Sequence, residues 1–138
     1  MPHPTSTTIA ERIEDLYGAP LAQLEAHVDT NPRGSMLAAL LGSHADLQLA
    51  ERTIDFQLQR LRQLADPERE IGPYDAGHLL DCARRIAESV AVRDAHSKNT
   101  SAVLESLHRV PARPAQPPTP APPAVPIPAP ASAAARPR

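Results

Sequence analysis

The stretch "GSHADLQLAERTI", residues 42–54, decides how this chain folds. Wound as an α-helix, it puts His44, Leu47, Glu51 and Ile54 on one face, in steps of three and four. Followed outward, the stripe reaches back to Leu40 and Leu37 and on to Leu58, Leu61 and Ala65. No strand-like alternation of useful length competes with it anywhere in the chain. A stripe of this kind, held this long, belongs to a helix packed lengthwise on another helix. Asn31 before Pro32 is a good N-cap, and no further proline intervenes before Pro67. The expected helix, about 32–65, would be about 50 Å long at ~1.5 Å per residue.

The segment "DPEREIGPYDAG", residues 66–77, breaks that helix, and a second proline-free run follows, expected as a helix over about 74–109. Its stripe is Leu79, Ala83, Ile86, Val90, Arg93, Ser97, Thr100, Leu104 and His108. The polar, weakly helical "RDAHSKNTS" within it points to a kink or break near Asn99. Two runs of similar length with a short connection pack naturally as an antiparallel hairpin, coiled-coil-like along its seam. Upstream, Thr8 and Glu11 have the spacing of a capping box. A short helix over about 9–17 would carry Ile9, Ile13 and Leu16 and close at Gly18. Pro20 opens another, about 20–29, with Leu21, Leu24 and Val28. The expected fold is all-α: two short helices, then a long hairpin, within a domain spanning residues 8–110.

Both ends lie outside that domain. Residues 1–7 are expected to be disordered. Residues 111–138 hold eleven prolines, no glycine and no acidic residue. Such a segment cannot bury enough apolar surface to offset its ordering entropy, so a disordered tail with polyproline II character is expected. Its PxxP spacings, such as Pro111 with Pro114, are nearly unavoidable at this proline density.

Folding the hairpin about residue 70 brings its polar stripe positions to one depth. Position 44 falls level with 96 and position 51 with 89, so Arg93 comes within about one turn of Glu51, roughly 6 Å along the axis. His44 meets the hydroxyl-rich region around His96. His44, Glu51 and Arg93 are therefore expected to form a polar layer that fixes register, because a slipped pairing would set a charge against leucine. The same three residues are the candidates for a catalytic site. A two-helix seam offers no concave pocket for one, and the structural role is preferred.

Other chemistry finds less support. His78 and Cys82 stand one turn apart, but a lone cysteine beside Leu79 and Ile86 reads as a small buried hydrophobe. The six histidines lack zinc spacing, and there is no glycine-rich phosphate loop. With Tyr17, Phe56 and Tyr74 as the only aromatic residues, material for a cofactor pocket is scarce. No cofactor, metal or enzymatic activity is expected.

Charge and composition narrow the partners. Residues 1–110 hold sixteen acidic and eleven basic residues, a balance of −5, while the tail carries +3. An acidic body is a poor electrostatic match for nucleic acid and for anionic membrane. "IEDLYGAPLAQLEAHV", residues 13–28, does have the outline of a DNA-reading helix-turn-helix, and a small DNA-binding regulator using residues 9–29 is the alternative reading. Its second helix, however, offers Leu21, Ala22, Gln23 and Glu25 where phosphate- and base-binding side chains belong. No signal peptide or membrane span is expected, and the single cysteine suits a reducing, cytoplasmic compartment. Thirteen arginines against one lysine resemble coding by a GC-rich bacterial genome. In general shape the hairpin resembles the small secreted Trp-x-Gly hairpins of actinobacteria. Its turn reads "EIGPYDAG" and the chain has no tryptophan, so the likeness ends at shape.

A second stripe points to function. Ala38, Gly42, Ala45, Leu49 and Phe56 lie opposite the seam on the first long helix, and Val92, Val103 and Val110 lie off it on the second. Arg52, Arg60, Gln63, Arg84 and Glu88 belong to a solvated face. Contiguous exposed apolar surface marks a contact face. Leu49 and Phe56 are expected to meet another protein or a second copy of the chain, which makes this a non-enzymatic, dimeric interaction module with a proline-rich tether.

Overall fold

The structure, a computed structural model, describes residues 4–31 and 33–108. Residues 1–3 and the proline-rich tail, both expected to be disordered, lie outside the described residues, as does Val110. Four helices follow one another: α1 (Ser6–Tyr17), α2 (Leu21–Thr30), α3 (Met36–Leu64) and α4 (Pro73–Ser106). The described chain is all-α, and α3 and α4 form the expected long antiparallel hairpin.

The helix starts differ from expectation, each for an identifiable reason. α1 begins at Ser6, and Thr5 rather than Thr8 is its N-cap, its hydroxyl accepting from the Thr8 N–H at 3.4 Å. Residues 4–7 are thus part of the folded body. A partner far along the chain holds this start, which no local pattern signals. Likewise α3 starts after Ser35, whose Oγ accepts from the Ala38 N–H at 3.1 Å. Asn31, expected to open α3, closes α2 instead: its backbone N–H and its Nδ2 both donate to the His27 carbonyl.

The Gly18 turn is as expected, and the start of α4 adds a cap that the sequence reading did not include. Gly18 closes α1 in the left-handed region at φ 69°, where a side chain would be strained, and its N–H donates to the Glu14 carbonyl at 2.7 Å. Pro73 occupies the first turn of α4, and the Asp75 carboxylate accepts from the Gly72 N–H at 3.1 Å and from Arg69 at 2.7 Å. α4 then runs unbroken through Asn99, so the expected break does not occur. Ser97 and Thr100 are buried in the seam and hydrogen-bonded there. That tertiary anchorage overrides the weak local propensity.

The core sits at the terminal end of the hairpin. Ile9 and Ile13 of α1 are fully buried against Leu37, Leu40, Leu41, Leu47 and Leu104, and Leu24 of α2 completes the cluster. Burying side chains of this size contributes about 1.5–3 kcal/mol each. Toward the loop the hairpin continues as two helices, with Ile54, Gln57, Leu64 and Cys82 buried between them.

Candidate functional site

Polar side chains do meet across the seam near His44, but the bonded set is not His44, Glu51 and Arg93. The Ser43 hydroxyl shares hydrogen bonds with His96 Nδ1 at 2.9 Å and with the Thr100 hydroxyl at 2.6 Å. These bonds set residue 43 level with 96–100, in agreement with a fold-back near residue 70. His44 is 3 % exposed, and its Nε2 has no hydrogen-bond partner. The Ser97 hydroxyl, fully buried, donates to the Pro4 carbonyl at 2.9 Å. Sequence reasoning placed Ser97 and Thr100 on the stripe and missed Ser43, which lies one residue off it.

Glu51 and Arg93 do not form the expected ion pair. The Glu51 carboxylate accepts from the Ser6 N–H at 2.9 Å and from the Ser6 hydroxyl, so it caps α1 from the middle of α3. The Arg93 guanidinium turns instead to Asp94, its neighbour in sequence, with Nε and Nη2 each 2.8 Å from Oδ1. Glu51 and Arg93 nevertheless border one depression, together with Pro4, Thr5 and Asp55. What local periodicity left out was α1. Its unsatisfied first N–H groups and positive dipole end compete for the carboxylate. Cys82 is buried and His78 exposed, so these two do not share an environment.

α1 occupies one side of the hairpin and leaves the other open. On the open side a groove runs between α3 and α4, lined by Asp46, Leu49, Ala50 and Thr53 on one helix and by Glu88, Ser89, Val92 and His96 on the other. A smaller hollow lined by Met36, Ala39, Ser43 and Val103 lies on the same side, at heptad spacing from the groove residues. Leu49 is 58 % exposed, Phe56 64 % and Val92 44 %. Gly42 and Ala45 are exposed beside them, and a Cβ placed on Gly42 would meet nothing within 4 Å. Val103, expected on this face, is partly buried and packs on the core. Met36, Ile71, Tyr74 and Leu80 are also exposed, and their sequence setting gave no warning of it. Ile71 and Tyr74 flank the turn, while Met36 and Leu80 fall off both stripes.

Several surface charges of the hairpin pair with one another. Asp81 bridges Arg84 and Arg85 at 2.6 and 2.9 Å, and the Arg84 hydrogen bond holds its carboxyl below the ordinary carboxylate value. The same contact raises Arg84 above its ordinary value. In the helix-turn-helix-like element, Glu14 Oε1 accepts from the Leu21 N–H at 2.6 Å and so neutralises the start of α2. That helix N-terminus, where a DNA phosphate would sit, already carries a carboxylate. Among the described residues no helix is long and apolar enough to cross a membrane. Comparison with protein-family models, with curated proteins and with solved structures found no match to the chain.

Proposed function

We propose that this protein is a non-enzymatic helical interaction module, dimeric and cytoplasmic, that presents the open side of its hairpin to another protein chain and uses its proline-rich segment as a tether. One observation carries the reading: Leu49, Phe56 and Val92 stay exposed along one side of the hairpin, while α1 and α2 cover the other. Apolar side chains left along one face of an ordered scaffold favour a protein contact. Two of the three catalytic candidates are engaged in holding the fold, Glu51 on Ser6 and Arg93 on Asp94, and the third, His44, is buried in the seam. A buried free cysteine suits a reducing compartment.

A photo-crosslinking residue placed at Leu49 in living cells tests this. The expected result is one discrete adduct that disappears with Phe56→Glu, and no adduct from the same group at Arg84. Absence of an adduct from Leu49, or equal labelling from both positions, overturns the reading.

A further inference from the structure

We propose that the open side is closed by a second copy of this chain turned end for end, so that Phe56 of each copy seats on Gly42 of the other. This rests on the interaction-module reading above and specifies its partner and geometry.

The hydrogen bonds of Ser43 with His96 and Thr100 fix which residues of the two helices share a level. Six residues from Ser43 along α3 is Leu49, and six residues back along α4 from the midpoint of 96 and 100 is Val92. Both line the same groove and both are exposed. A two-fold axis crossing the hairpin at this level lays Leu49 on Leu49 and Val92 on Val92 of the second copy. Isologous contact of this kind is the commonest way in which identical chains associate.

The residues to either side are complementary under that operation. Gly42 and Phe56 each stand seven residues from Leu49, about 10 Å along the helix at ~1.5 Å per residue, and within a narrow angular strip of the same face. The operation exchanges their levels. Phe56, the largest exposed apolar side chain on α3, then meets the one position of the strip with no side chain and open space around it. Exposed Ala45 beside Gly42 allows the two α3 helices to approach closely. On α4, Glu88 and His96 each stand four residues from Val92 and both line the groove. The same operation sets the carboxylate of each copy level with the imidazole of the other. A second copy packed in the same direction fits less well. Phe56 would then fall at the level of Arg85, whose guanidinium is already engaged by Asp81.

The test uses the full chain in a Cys82→Ala background, with sedimentation and mild oxidation as readouts. Gly42→Leu should weaken self-association at least tenfold without loss of helicity, since leucine is the better helix former. Adding Phe56→Ala to Gly42→Leu should restore association, because the size difference is then reversed. Leu49→Cys should oxidise readily to a disulfide-linked dimer, and Arg84→Cys should not. A chain that remains monomeric at high micromolar concentration overturns the second copy as occupant. A photo-adduct from Leu49 heavier or lighter than two copies would then overturn the dimer and leave the module presenting this side to a different protein. A dimer indifferent to Gly42→Leu, with no disulfide from Leu49→Cys, overturns the end-for-end geometry.

Discussion

The Glu51 carboxylate accepts both the N–H and the hydroxyl of Ser6, which lies 45 residues earlier in the chain. One acidic side chain on the hairpin thus starts α1 and fastens it to the middle of α3. A polar interruption in an aliphatic stripe becomes intelligible once a third helix is brought into the seam.

Removing that carboxylate should loosen the body. Glu51→Ala is expected to cost about 1–3 kcal/mol, the usual cost of a lost charge-assisted bond to a part-buried donor. Chemical denaturation measures it. Ser6→Ala combined with Glu51→Ala should cost less than the two changes added together. A cycle between Glu51 and Arg93 should give a coupling near zero, because their charges are committed elsewhere.

His44 gives a prediction of the opposite sign. Its Nε2 is buried without a partner, and an unsatisfied polar atom costs about 1–3 kcal/mol. His44→Leu keeps an apolar side chain of similar reach in that place. The variant is expected to melt a few degrees higher than the parent, by calorimetry or circular dichroism. A drop in melting temperature would show that the imidazole has a partner in solution.

Asp81 should titrate under the influence of its arginines, which stay charged throughout. Its carboxyl lies below the ordinary value of 3.8, chiefly through the Arg84 hydrogen bond. A folded value depressed in this way contributes stability above the ordinary carboxylate pKa and loses it as the pH falls through the folded value. Carbon-detected NMR should find the Asp81 midpoint below 3.8 in the parent, moving toward 3.8 in Arg84→Gln. The pair lies at the surface, where solvent screens it, so the melting temperature near neutral pH should barely change.

The hairpin was legible because its signal is periodic. Leu37, Leu40, Leu47 and Ile54 repeat at helical spacing and are buried as that spacing requires. The exposure of Leu49 and Phe56 was legible for the same reason, since they fall opposite the stripe. Three features were not. Ser6 on Glu51 and Ser97 on Pro4 each join residues distant in sequence, and Thr5 rather than Thr8 caps α1 because the first of these contacts holds the helix start at Ser6. The unbroken path of α4 through Asn99 belongs with them, because burial of Ser97 and Thr100 outweighs a local preference that pointed the other way. Periodicity reports which face is buried, and it does not report which third element buries it.

Self-association through the open side is decided by mass in solution. Sedimentation equilibrium of the full chain, 14.8 kDa as a monomer, should give twice that mass at high micromolar concentration, and Leu49→Arg should return it to the single-chain value with helicity intact. A mass of one chain at every concentration, or a dimer untouched by Leu49→Arg, would contradict the proposal that this side of the hairpin meets a second copy.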